Sequence, residues 1–285
     1  MTILPSSSCR QNLVEALVDL LDGDEALSLN VASDWLNIPR TSLILDSEVF
    51  LTPREVDFVQ DRLLQLKEGF PLAYVEGKVS FMGFDFICDP RVLIPRMDSE
   101  SVVELALSSL DSSIHSPRVL DMCTGSGCLL LSVLKLLPAA EGVGTDCSIE
   151  ALECAKQNLK KLELEDRARF FEEDIFYPHL QLPLFDLIIC NPPYILLGEE
   201  LGVGVREYEP NKALFVTDGD PMQFYRAAFS CALQRLNVNG KVVFEIGASR
   251  FDEVLSLSET LPFKFLSVRK DLGDNNRAVS FEVEN

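Results

Sequence analysis

The sequence predicts an α/β fold: a mostly parallel sheet covered by helices, closed at one edge by an antiparallel hairpin and preceded by a small helical region. Three observations carry this. From about residue 118 onward, short apolar runs alternate with stretches of helical periodicity, the pattern of strand–helix–strand units. The last two strand-like runs, 263–269 and 278–283, are separated by little more than Gly273-Asp274-Asn275-Asn276, which suits a hairpin and is too short for a crossover. The first seventy residues carry helical spacing only.

In that opening region Leu13, Leu17, Leu20 and Leu21 fall on one helical face. Thr52-Pro53-Arg54-Glu55 is a capping box with proline at the first helical position. Val56, Val59, Leu63 and Leu66 form the apolar stripe behind it, and Gly69 stops the helix. Residues 1–70 are therefore expected to form a helical domain. Residues 71–98 read as a linker holding a hairpin, with strands at 78–81 and 84–88 about Met82-Gly83. Residues 99–285 form the sheet domain. Its expected strands are 118–122, 142–145, a short one at 170–171, 184–190, 241–246 and the closing pair. Its expected helices are 128–137, ended by Pro138, then 148–162 with a serine cap, and 221–236.

The chain has 285 residues, 47% of them hydrophobic, which is enough to build a core without covalent staples. Twenty-five Lys and Arg face 45 Asp and Glu, a formal net charge of −20 spread through the chain and not gathered in a tail. Such a field repels a nucleic acid, and basic or weakly charged partners fit better. Acidity also serves solubility alone. The eight cysteines form no Cys-x-x-Cys pair and only two histidines could join them, so no metal site is expected. The apolar stretch from Asp121 to Lys135 is too short and too broken by Gly and Ser to span a bilayer, and no leader is evident. A reduced, cytoplasmic protein with no membrane partner is the expectation.

Four motifs carry chemistry. Val119-Leu120-Asp121-Met122-Cys123-Thr124-Gly125-Ser126-Gly127-Cys128 is a strand running through a small-residue turn into a helix. Such a turn lets the backbone approach a ligand at the carboxyl end of the sheet. The third glycine of a dinucleotide fingerprint is replaced by Leu130, and no Walker lysine follows. Asp121 suits a cationic amine better than a pyrophosphate; a plain tight turn is the alternative. Asp146, ending Gly144-Thr145-Asp146, can accept both hydroxyls of a ribose or cap the next helix. Within Glu172-Glu173-Asp174-Ile175-Phe176, Asp174 can accept from an adenine amino group and Ile175 can cover a ring, although acidic loops are often only solvated. The sharpest motif is Asn191-Pro192-Pro193-Tyr194 after a buried strand. The prolines remove backbone donors and stiffen the turn. The Asn191 side-chain oxygen and the Pro192 carbonyl can hold the two N–H groups of one planar nitrogen, and Tyr194 can stack on it.

Together these residues resemble a class I, Rossmann-like S-adenosylmethionine-dependent methyltransferase. Pro71-Leu72-Ala73-Tyr74-Val75-Glu76-Gly77, Ile94-Pro95-Arg96-Met97-Asp98, Val205-Arg206-Glu207-Tyr208-Glu209-Pro210, Phe244-Glu245-Ile246-Gly247 and Lys270-Asp271-Leu272 resemble more narrowly the HemK-type protein glutamine methyltransferases. The resemblance covers roughly 70–280 closely. It implies methylation of the glutamine side-chain amide in the Gly-Gly-Gln loop of peptide chain release factors, with the helical domain helping to hold that partner. It implies S-adenosylmethionine binding by Asp121, Cys123, Thr124, Gly125, Ser126, Gly127, Asp146, Asp174, Ile175 and Asn191. Substrate binding and catalysis then fall to Asn191, Pro192, Pro193 and Tyr194, with Arg96 at the substrate, in a monomeric enzyme. Two positions depart from the family: Cys123 stands where its loop has the first glycine, and Met97 where it has proline. The cysteine is also a feature of the sister enzymes that methylate a glutamine of a large-subunit ribosomal protein. DNA adenine amino-methyltransferases share the Asn-Pro-Pro-Tyr logic but need a phosphate-binding surface.

Overall fold

The computed structural model describes residues 3–202, 204–216 and 219–284. The chain forms two compact units that divide after Val75.

The first unit is helical: α1 (Arg10–Leu20), α2 (Glu25–Leu36), α3 (Arg40–Leu45), α4 (Pro53–Lys67) and α5 (Leu72–Glu76), the last running into the division. Leu13, Leu17, Val59 and Leu63 are fully buried together. The capping box forms as the sequence predicts. The Thr52 N–H donates to Glu55 Oε2 at 2.7 Å and the Glu55 N–H donates back to Thr52 Oγ1 at 3.3 Å. Gly69 takes φ +87°, beyond reach of a helix.

The second unit opens with a hairpin, β1 (Lys78–Phe81) and β2 (Phe84–Ile87), paired antiparallel. Met82 and Gly83 both have positive φ, the turn whose twist matches the strands. A short 3-10 turn at Met97–Ser99 leads into α6 (Glu100–Ser109). The alternation follows: β3 (Arg118–Met122), α7 (Cys128–Leu136), β4 (Glu141–Asp146), α8 (Ile149–Lys161), β5 (Ala168–Glu172) and β6 (Phe185–Cys190). Two single-turn helices, α9 (Val205–Tyr208) and α10 (Asn211–Leu214), precede α11 (Gln223–Arg235), β7 (Leu236–Glu245), α12 (Phe251–Glu259), β8 (Phe263–Lys270) and β9 (Asn276–Val283).

The seven strands lie in the order β5-β4-β3-β6-β7-β9-β8. The first five are parallel, and β9 runs antiparallel to both neighbours. The closing hairpin is thus present, but its second strand is the inner one. Ala278, Val279, Ser280 and Phe281 are all fully buried, whereas β8 is exposed along most of its length. Successive residues of the central strands alternate between two cores. Val119, Leu187, Ile189 and Val243 pack with α6, α7 and α8; Leu120, Ile188, Cys190 and Phe244 pack with α11 and α12.

Close packing fixes one glycine. A Cβ at Gly144 would lie 2.4 Å from Phe170 Cε1 and 2.9 Å from Thr124 Oγ1, so β4 reaches the strand ends only without a side chain there.

Candidate active site

Strand register brings the sequence motifs to one edge. Asp121 pairs with Gly144, Met122 with Thr145 and with Cys190, Asp146 with Glu172, and Cys190 with Phe244. Asp121, the 123–127 loop, Asp146, Asp174 and Asn191 therefore leave neighbouring parallel strands at one level, the usual place for a ligand in such a sheet.

The 123–127 loop is tightly tied. The Thr124 N–H donates to the Thr145 carbonyl at 3.0 Å and the Gly127 N–H to the Thr124 carbonyl at 2.8 Å. Cys123, Gly125 and Gly127 have φ of +60°, +54° and +79°. The loop thus holds a left-handed residue at 123 even with a cysteine there, a conformation that glycine adopts more cheaply. Ser126 is buried, and its carbonyl accepts from Asn158 Nδ2 at 3.0 Å. Asn158 also exchanges hydrogen bonds with the Ile87 backbone, at 2.6 and 3.1 Å. This fully buried amide joins hairpin, α8 and loop. It is not singled out in the sequence, because one asparagine in an amphipathic helix carries no local signal.

Asp121 is fully buried. Its Oδ2 accepts from Thr124 Oγ1 at 2.6 Å, and its Oδ1 has no hydrogen-bond partner among the described residues. Burial pushes its carboxyl up to about 7 against the pull of the Thr124 bond. Asp146 accepts from the Gly125 N–H through Oδ2 and the Ser148 N–H through Oδ1, both at 2.9 Å. Burial raises its pKa over those backbone bonds. The Cys147 N–H also bears on this carboxylate, which accepts about four hydrogen bonds and so keeps acceptor capacity.

Asp174 and Ile175 start the loop after β5, both half-buried. Asp174 Oδ1 accepts from the Phe176 N–H at 2.9 Å, and the Ile175 carbonyl accepts from Cys231 Sγ at 3.5 Å. The preceding Glu173 holds this loop. Its carboxylate takes two bonds from Arg235, at 2.5 and 2.8 Å, and the N–H groups of His179 and Leu180, at 3.0 and 2.8 Å. Burial alone would raise the Glu173 pKa; the Arg235 and backbone bonds overcome it and hold the carboxyl below its usual range. Neither Glu173 nor Arg235 stands out in the sequence, because they are brought together only by the fold.

Pro192 and Pro193 are buried and Asn191 is half-buried. Among the described residues nothing hydrogen-bonds the Asn191 side-chain amide. The Tyr194 hydroxyl donates to Glu245 Oε1 at 3.2 Å. Arg96 is placed differently: it pairs with Glu209, whose side chain is 1% exposed and also accepts the Ile94 N–H at 3.1 Å. These bonds make Arg96 a tie between residues 94–96 and 205–210, and among the described residues none joins it to the 191–194 turn.

A family model described as the methyltransferase small domain matches residues 96–205. A release factor glutamine methyltransferase of Flavobacterium psychrophilum is 34% identical over 276 residues, which cover 95% of this chain and 96% of that protein. Another, of Geobacter sulfurreducens, is 37% identical over 252 residues, 87% of this chain and 86% of its own. Among solved structures, a methyltransferase from Pyrococcus furiosus superposes with a TM-score of 0.52 at 16% identity, over 79% of this chain and 99% of that one, in agreement with the fold class the sequence predicts. With near-full-length similarity on both sides, the chain belongs to the release factor glutamine methyltransferase family.

Proposed function

We propose that the chain transfers a methyl group from S-adenosylmethionine to the side-chain amide nitrogen of the glutamine in the Gly-Gly-Gln loop of peptide chain release factors. The observation that carries this reading is the Asn191 amide, without a hydrogen-bond partner among the described residues, on a turn stiffened by two prolines and level with the 123–127 loop. When bound, S-adenosylmethionine supplies an electrophilic methyl group on a sulfonium.

The residues present fit that cofactor. The unpartnered Oδ1 of Asp121 is a buried acceptor suited to a cationic amine. The remaining acceptor capacity of Asp146 suits ribose hydroxyls, and Asp174 with Ile175 suit an adenine. Cys123, Thr124, Gly125, Ser126 and Gly127 line the approach of the backbone.

An amide nitrogen is a poor nucleophile because its lone pair is delocalised into the carbonyl. Asn191 and the Pro192 carbonyl accept its two N–H bonds and turn the lone pair toward the methyl group, so that rate comes from positioning. The same acceptors stabilise positive charge as it grows on nitrogen; the new N–C bond would replace the methyl–sulfur bond, leaving S-adenosylhomocysteine as product, and one amide proton would pass to water. Tyr194 covers the amide plane.

The partner is a release factor, and the helical unit helps hold it. The enzyme acts as a cytoplasmic monomer; among the described residues no helix is long and apolar enough to cross a membrane. The deciding experiment incubates the chain and labelled cofactor with release factor, with large-subunit ribosomal protein and with duplex DNA, followed by mass spectrometry. Methylation of the release factor glutamine is expected; label in either of the other two alone would overturn the reading.

Two binding predictions follow from the carboxylates. Ionised Asp121 is the form that pairs with a cationic amine, so cofactor affinity should rise with pH as Asp121 loses its proton around 7. Calorimetry from pH 6 to 7.5 should show this rise, with proton release on binding, and Asp121→Asn should flatten it. Asp146→Ala should weaken cofactor binding by about 1–3 kcal/mol, the cost of leaving hydroxyls unpaired. An unchanged dissociation constant would remove Asp146 from the site.

A further inference from the structure

Phe244-Glu245-Ile246-Gly247 closes β7 and takes no part in the chemistry above. Cys190 and Phe244 are register partners, so Asn191 and Glu245 leave adjacent strands side by side. Glu245 is 3% exposed. Its Oε1 accepts from the Tyr194 hydroxyl at 3.2 Å; among the described residues its Oε2 has no partner within hydrogen-bond geometry, the Ser99 hydroxyl being a candidate donor. Burial pushes its carboxyl up, over the opposing effects of the Ser99 hydroxyl and the Arg277 charge. A half-satisfied carboxylate at this depth costs stability, and an apolar residue of similar size would pack more cheaply.

The surrounding backbone is pinned. The Glu245 carbonyl accepts from the buried Tyr225 hydroxyl at 3.0 Å, and Ile246 exchanges bonds with Arg277 at 2.8 and 3.2 Å. Arg277 is itself held by Asp271 at 2.8 Å and Asp98 at 3.4 Å. Gly247 meets the Tyr194 ring: a Cβ there would lie 3.2 Å from Cδ2 and 3.4 Å from Cε2. The ring is thus held at its hydroxyl by Glu245, with the Arg277 guanidinium also facing that hydroxyl, and along its edge by Gly247.

We propose that Glu245 and Gly247 form a seat that positions Tyr194 over the substrate amide, an inference that rests on Tyr194 covering that amide. Glu245 fixes the tilt of the ring through the phenol bond, and Gly247 sets its depth. Both are positioning residues that act through Tyr194. The seat accounts for a buried carboxylate that packing alone would not retain.

The test combines two readouts. Ring 13C resonances of tyrosine in the free protein, assigned with Tyr194→Phe, report the seat without any substrate. Single-turnover transfer to release factor at saturating cofactor reports its effect. Glu245→Ala should shift the Tyr194 resonance and slow transfer by about tenfold or more, with cofactor affinity changed by less than about twofold. Glu245→Gln keeps a carbonyl acceptor and should restore the resonance and bring the rate within about threefold of the original. Adding Glu245→Ala to Tyr194→Phe should slow the enzyme no further. Gly247→Ala leaves the Tyr194–Glu245 bond unaltered in chemistry, crowds the Tyr194 ring and the Arg250 stem alike, and should also shift the ring and slow transfer. An unmoved resonance in Glu245→Ala, or an equal loss in the Tyr194→Phe background, overturns the seat. An unaltered protein inactive on release factor would overturn the substrate reading instead, and the resonances would still decide whether Glu245 holds Tyr194.

Discussion

Asn191→Ala should slow methyl transfer by about a hundredfold or more, far more than it lowers cofactor affinity. Nothing among the described residues relies on the Asn191 amide, so its removal breaks no internal hydrogen bond. Pro192 and Pro193 remain buried and the turn keeps its course. What disappears is one of two acceptors for the substrate nitrogen, and the amide can then rotate its lone pair away from the methyl group. Single-turnover transfer at saturating release factor and cofactor measures this loss directly. A rate close to that of the unaltered enzyme would show that Pro192 and Tyr194 suffice, and the positional mechanism would be wrong even with the family unchanged.

Arg235→Ala should destabilise the sheet unit by about 3–5 kcal/mol, because it leaves the buried Glu173 carboxylate without its counter-charge. The sign with pH follows from the direction of the shift. In the intact protein the Glu173 pKa is depressed, so its contribution is present above the ordinary glutamate pKa of about 4.3 and is lost as pH falls through the lower folded value. In the variant, burial is opposed only by backbone bonds, and protonation relieves the unpaired charge. The gap between the two proteins should therefore be smaller near pH 4 than at pH 7. The single tryptophan, Trp35, lies in the helical unit and is blind to this change. Amide exchange in β5 and β6 is the appropriate probe, and a difference below about 1 kcal/mol at pH 7 would refute the claim.

The parallel core was legible because its strands are continuous apolar runs between turn residues, and the site motifs because parallel strands carry their carboxyl ends to one edge. The less visible parts have physical reasons. Phe251, Val254 and Leu255 have helical spacing, but Ser258 takes the next core position and α12 is only 9 residues long, so its stripe is short. In α6 the neighbouring Val102, Val103, Leu105 and Ala106 are all buried, which hides the period. The inner place of β9 was written in Ala278-Val279-Ser280-Phe281 against the charges of Lys264, Arg269 and Lys270, a contrast visible only once the two strands are compared. Glu173–Arg235 and Tyr194–Glu245 join residues 62 and 51 positions apart, and no local pattern announces such pairs.

The reversal of strand order between β3 and β6 has a consequence for redesign. The carboxylates and small-residue loop proposed for the methyl donor leave β3, β4 and β5, the 191–194 turn proposed for the acceptor leaves β6, and the residues proposed to seat Tyr194 leave β7. The donor and acceptor groups meet along one parallel ladder, from the Val119–Leu187 pair to the Met122–Cys190 pair. Under the proposed assignment, backbone register sets where the 123–127 loop and the 191–194 turn depart, and so gauges the gap between donor and acceptor residues. An engineer could graft new segments after β6 and β7 to change what is methylated while leaving the grip on the donor as it stands.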